Sequence, residues 1–129
     1  MNRIITPYRI LFFVFALLYL FFPTANSTMD AYDYGASVKW GIDLFHPHHL
    51  LYNAAGFLIF NLLAPAGLNV DALAFMKILN GIAAIMCLWM LGKILRILLT
   101  DNRVALSLLF FTGVCFGLWR FAVENETYV

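Results

Sequence analysis

The chain has 129 residues, of which 64% are hydrophobic, 17% aromatic and only 12% charged. A soluble domain is about half apolar and about a quarter charged, and a disordered tail is poorer still in apolar residues, so composition excludes both. A net charge of +1 gives no basic footprint for nucleic acid. What remains is an all-α polytopic integral membrane protein, with room for three or four hydrophobic helices at about 20 residues each.

The first apolar segment covers residues 6–22, with Arg3 and Arg9 at its start. A basic start, a short apolar run and Ala25-Asn26-Ser27 also outline a cleavable secretory signal. The aromatic content (Phe12, Phe13, Phe15, Tyr19, Phe21, Phe22) and the apolar segments that follow favour a retained anchor. Either way, the basic end stays inside and the chain after Pro23 emerges outside.

Residues 23–47 form a polar loop carrying Asp30, Asp33, Lys39, Asp43 and His46. Tyr34, Val38 and Ile42 stand four apart, which predicts a short amphipathic helix on the membrane surface. Gly35 and Gly41 weaken that helix. Trp40, Tyr32, Tyr34, Trp119 and Tyr128 fall near the expected surfaces, as an aromatic belt would.

The second segment, residues 48–65, contains Asn53, Gly56 and Asn61 and stops at Pro65. It is short for a hydrocarbon core of about 30 Å. A re-entrant piece buried against protein suits it better than a span. The third segment, residues 72–99, is apolar to Leu91 and amphipathic beyond Gly92, with Lys77 in its first two turns. The fourth, residues 104–123, carries Arg120 near its end, and Glu124, Asn125 and Glu126 follow. Cys87 and Cys115 lie in apolar runs and read as small core hydrophobes rather than a disulfide framework.

Charge placement decides between topologies. With four crossings the basic residues divide evenly. With three crossings and a returning second segment, Arg3, Arg9, Lys93, Arg96 and Arg103 lie inside. Lys39, Lys77 and Arg120 then lie outside, together with Asp30, Asp33, Asp43, Glu124 and Glu126. The positive-inside rule favours the second arrangement. It sets the N-terminus in the cytoplasm and brings two acidic clusters to one membrane surface. Asn26-Ser27-Thr28 and Asn125-Glu126-Thr127 match the N-glycosylation pattern, which is common by chance.

Asp30 opens the loop after the first segment, and His46-Pro47-His48-His49-Leu50-Leu51-Tyr52 opens the next one. This resembles the start of the GT-C class of membrane glycosyltransferases, closest to the protein O-mannosyltransferase and aminoarabinose-transferase branch. Those proteins carry an early acidic motif in the first extracytoplasmic loop, then surface helices and a His/Lys-Pro-Pro-Leu-like motif. A second acidic position follows a later span, where Glu124-Asn125-Glu126 stands here. Ala31 replaces a frequent Glu, with Asp33 as the alternative second carboxylate, and His48 replaces a common Pro. The family continues to about nine or more spans, so the resemblance makes this chain the opening portion of a longer protein or one half of a split gene.

The resemblance implies sugar transfer from a polyprenyl-phosphate donor to an acceptor at the outer face, in a bacterial inner membrane. Asp30 or Asp33 would be the base that takes the acceptor proton, a contribution of roughly 10²–10⁴-fold. His46, His48, His49 and Arg120 would contact the donor phosphate. Glu124 and Glu126 would hold a divalent ion, Mg or Mn, through oxygen ligands. Plainer accounts stand beside each role. Asp30 is also a natural helix cap. The histidines are ordinary polar residues at a helix start, Arg120 and Glu124 are spaced for an i, i+4 ion pair, and Lys77 is placed to snorkel. Catalysis by these residues alone is not expected; the missing C-terminal portion or a partner subunit would complete the enzyme. Two other classes remain open: a small membrane assembly subunit without chemistry, and a transporter fragment with Lys77, Asn80 and Asn61 along its pathway.

Overall fold

The computed structural model describes residues 2–45, 51–63 and 71–125. Among them are six helices and no strand: α1 (Asn2–Phe21), α2 (Met29–Trp40), α3 (Tyr52–Leu63), α4 (Ala72–Leu98), α5 (Asn102–Val114) and α6 (Phe116–Val123). The all-α class expected from composition is what the chain adopts.

α4 is the hub, packed against each of the other five helices. Its inner face is built from Gly81, Ala84, Leu88 and Gly92 at helical spacing; the two glycines and the alanine let neighbouring backbones approach closely, and Leu88 fills the space between them. Its outer face presents Ile78, Ile82, Met86, Met90 and Ile94. At 27 residues it is about 40 Å long, and it is long and apolar enough to cross a membrane. Only 22% of its most apolar stretch is buried, although the core helix of a soluble protein would be mostly enclosed.

Two clusters make the interior. Phe15 and Tyr19 of α1 join Ala84 and Leu88 of α4, Leu109 of α5, and Ala122 and Val123 of α6. Val38 of α2 joins Ala72, Phe75 and Met76 at the start of α4, with Tyr52 and Phe60 of α3 against them. The outward faces of α1 and α5 are apolar too, with Ile10, Phe13, Leu17, Leu108, Phe110 and Phe111 exposed.

Several elements differ from the sequence reading. Residues 104–123 are two helices bent by 56°, not one. At the break the Thr112 hydroxyl donates to the Leu108 carbonyl at 2.8 Å, a back-bond that competes with the helical ladder and bends it. Cys115 then takes an extended conformation with ψ 142°. Cys115 and Cys87 are both exposed, so neither is a core hydrophobe: Cys87 sits on the outer, apolar face of α4 and Cys115 at the break between α5 and α6. The third segment is one continuous helix through the buried Gly92.

Gly113 shows how tightly α5 meets α1. A Cβ there would overlap the Phe15 ring, and the Tyr19 hydroxyl donates to the Gly113 carbonyl. Phe15 is fully buried and has no room to retreat. Gly113→Ala is therefore expected to cost about 1–3 kcal/mol through overpacking, more than the helix propensity of about 1 kcal/mol it gains. Reversible unfolding in mixed micelles would read this; unchanged or raised stability would contradict the packing.

The helix ends collect into two layers. In one, the Thr24 N–H donates to the Val123 carbonyl at 3.0 Å, and Lys77 donates to the Thr24 carbonyl at 2.6 Å. The end of α1, the start of α4 and the end of α6 therefore meet. In the other, the Arg96 guanidinium lies 5.4 Å from the Tyr8 ring centroid, which joins the end of α4 to the start of α1. α3 starts in the first layer, where Tyr52 reaches Asn80, and spans only about 18 Å at 12 residues.

Candidate functional site

The first layer holds a groove and, beside it, a buried polar knot. α2 forms the groove's wall. Its N-cap is Thr28, whose hydroxyl accepts the Ala31 N–H at 3.3 Å. Asp30 sits in the first turn instead of capping, favourably placed for the helix dipole. Gly35 is buried inside α2 and lets it lie against the start of α4: an added Cβ would meet the Leu73 Cα at 3.3 Å. Gly41 ends the helix at φ 68°, its N–H returning to the Ser37 carbonyl at 2.9 Å. The two glycines that weaken the helix by propensity thus seat it and stop it. Ile42 falls beyond the last turn and is exposed.

Between α2 and α3 opens a groove of about 490 Å³, lined by Asp30, Asp33, Tyr34, Ser37, Trp40, Asp43 and Asn53, among others. Asp30 is half-buried and Asp33 exposed, one helical turn apart on the same face. Among the described residues neither carboxylate has a hydrogen-bond or ion-pair partner. Both are therefore free to accept a proton or a donor from a bound molecule.

The knot lies under α2. Glu124 is fully buried, with Lys77 3.6 Å from Oε1 and Arg120 3.4 Å from Oε2. Lys77 also donates to the Ser27 hydroxyl at 2.6 Å, so it turns inward rather than toward solvent. Asn80 donates to the Glu124 carbonyl at 2.6 Å. Asn125, equally buried, donates to the Ala31 carbonyl of α2 at 2.9 Å, which leaves its amide closed to glycosylation in this conformation. The Tyr52 hydroxyl is shared between the side-chain oxygens of Asn80, at 3.0 Å, and Asn125, at 2.5 Å. Burial pushes the Tyr52 phenol well above its ordinary value, so it stays a donor at neutral pH.

No family model, curated protein or solved structure matches the chain.

Of the residues singled out by sequence, Asp30 and Asp33 share the groove, while Arg120 and Glu124 share the knot. His46, His48, His49 and Glu126 lie outside the described residues. Glu124 offers poor terms to a divalent ion, because both of its oxygens already face cations and a hard cation needs several oxygen ligands. Among the described residues no three His, Cys, Asp or Glu side chains gather as a metal set. Sequence reasoning missed Thr24, Ser27, Tyr52 and Asn125 as partners. The available signal was Lys77 with Asn80 one turn on: polar groups inside an apolar helix require partners.

Proposed function

We propose that this chain is the opening part of a membrane glycosyltransferase of GT-C type, using a polyprenyl-phosphate sugar as donor at the outer membrane face. The observation that carries the reading is the pair Asp30 and Asp33, unpartnered in an open groove at the layer where the first loop, the start of α4 and the end of α6 converge. A groove of about 490 Å³ is the size of ordinary small-ligand sites.

In this reading α1, α4 and the bent α5–α6 pair cross the bilayer, and their exposed apolar faces meet lipid. α3 and α4 both start in the groove layer, which supports a second segment that does not cross. Arg9, Lys93, Arg96 and Arg103 fall at the opposite layer, the cytoplasmic one by the positive-inside rule. An impermeant thiol reagent tests the topology. With Cys87 and Cys115 replaced by Ser, Glu126→Cys is expected to label in sealed, right-side-out cells. Labelling only after the membrane is opened would overturn the three-crossing arrangement.

The chemistry is a substitution at the sugar's anomeric carbon. The acceptor hydroxyl forms the new C–O bond, the bond to the lipid phosphate breaks, and the polyprenyl phosphate leaves with the bonding pair. Asp30 or Asp33 takes the hydroxyl proton. Arg120, which is 30% exposed, supplies positive charge at the edge of the layer for the departing phosphate. The test is transfer of a labelled sugar from polyprenyl phosphate in proteoliposomes carrying the product of the complete reading frame. Absence of transfer to any hydroxyl acceptor, with the protein inserted and folded, would remove the reading.

A further inference from the structure

A second groove, of different character, lies between α1 and α5. Its volume is about 550 Å³, and it is lined by Pro7, Ile10 and Val14 of α1 and Leu106, Ser107 and Phe110 of α5, among others. Every lining residue but Ser107 is apolar, and Ile10, Val14 and Phe110 are exposed. From Pro7 to Val14 it runs about 10 Å along α1, a third of a hydrocarbon core of about 30 Å. Both helices start in the basic layer, so the groove opens toward it at Pro7 and Leu106. Arg103, which is exposed, stands one turn before Leu106 and Ser107 on the same face of α5. Arg96 arrives from α4, its guanidinium 5.4 Å from the ring centroid of Tyr8, the residue next to Pro7. Among the described residues neither arginine has an ion-pair partner. Asp101 is the one acid between Asp71 and Glu124 in sequence, and its carboxylate is spent capping α5, where it accepts the Arg103 N–H at 2.8 Å. A cation in the first turn of a helix opposes the dipole, so α5 itself gains nothing from the Arg103 side chain.

We propose that this groove seats one acyl chain of an anionic glycerophospholipid, with the lipid phosphate at the Arg103 guanidinium. Charge selects this occupant. An apolar helix or a neutral chain would cover the lining but leave the cation at the mouth unanswered. A phosphate diester answers it, because the planar guanidinium fork matches two phosphate oxygens. Anionic headgroups in the cytoplasmic leaflet supply that group at the depth where the groove opens. The polyprenyl-phosphate donor belongs to the opposite layer, so the two lipids do not share a site. The inference rests on the membrane topology proposed above and not on the sugar chemistry.

The experiment is native mass spectrometry of the 129-residue chain, released from detergent micelles at an ionic strength of about 0.15 M. The probes are phosphatidylglycerol and phosphatidylcholine with identical chains. Phosphatidylglycerol is expected to bind one to one and about fivefold more tightly than phosphatidylcholine. Arg103→Gln should weaken phosphatidylglycerol by about that factor and erase the preference. Arg9→Gln removes the same charge from the same layer. Arg9 is exposed but stands about 160° around α1 from Pro7, so its loss should change affinity by less than about twofold. Ser107→Phe, at an exposed position, fills the groove and should weaken both lipids alike. Equal binding of the two lipids, equal losses in Arg9→Gln and Arg103→Gln, or unchanged binding in Ser107→Phe would overturn the inference. So would polyprenyl phosphate displacing phosphatidylglycerol, which would make the groove a donor site. A dimer that Ser107→Phe dissociates would give the groove to a second copy and overturn it too. Carbonate extraction of the membranes separates the two ideas. A chain released from the bilayer removes the topology and this inference together, and an inserted chain without lipid preference removes this inference alone.

Discussion

Replacing both Asp30 and Asp33 by Asn is expected to abolish sugar transfer while leaving insertion and stability unchanged. The substitution keeps shape and removes only the ability to accept a proton, so the loss should equal the general-base contribution, roughly 10²–10⁴-fold in kcat. Stability should hold within about 0.5 kcal/mol, as for surface positions without partners: Asp33 is exposed, and Asp30 neither caps α2 nor pairs with a described residue. Of the single variants, Asp30→Asn should carry most of the loss. Its half-buried carboxylate sits deeper in the groove wall and is better shielded from water. A kcat retained within threefold in the double variant would assign these acids to the surface of the loop and leave the reaction without its base.

The legible part of this molecule was what hydropathy and spacing report directly. Apolar segments around α1, α4 and the α5–α6 pair, the surface helix after the first segment and the short second segment were all visible as patterns. The bend at Cys115 was not, because it depends on a hydroxyl turning back onto a carbonyl, and Thr112 inside an apolar run carries no such label. Gly35 and Gly41 were visible but open in meaning, since propensity counts a glycine as a cost and only packing shows that one seats a helix and the other stops it. The site divides the same way. Asp30 and Asp33 stand close in sequence and reach the groove together. Asn53 arrives from another helix, and two partners of Glu124, Asn80 and Lys77, lie 44 and 47 residues away along the chain, where no local pattern connects them. The i, i+4 pair of Arg120 and Glu124 was within reach of spacing; the burial that gives it weight was not.

That burial makes Glu124→Gln the most damaging conservative change expected in the chain. Glu124 is fully buried and Lys77 is 8% exposed, so the variant leaves an ammonium without its counter-charge inside the fold. Breaking one side of such a pair typically costs about 3–5 kcal/mol. Lys77→Met should cost less, about 1–2 kcal/mol. In that variant Glu124 keeps Arg120 at 3.4 Å and the Asn125 N–H at 2.9 Å, while methionine fills the space of the lysine stem. The combined Lys77→Met/Glu124→Gln variant should then be more stable than Glu124→Gln alone, because the orphaned charge has gone with its partner. Unfolding in mixed micelles measures all three, and the cycle isolates their coupling. The knot also joins the elements beneath the groove: Asn125, fixed by its own N–H to Glu124, holds α2 through the Ala31 carbonyl. Glu124→Gln should therefore lower sugar transfer at a groove it does not touch, and the combined variant should restore part of it. Simple additivity of the two single losses would mean that Lys77 and Glu124 each answer to other partners and that the knot is not one unit.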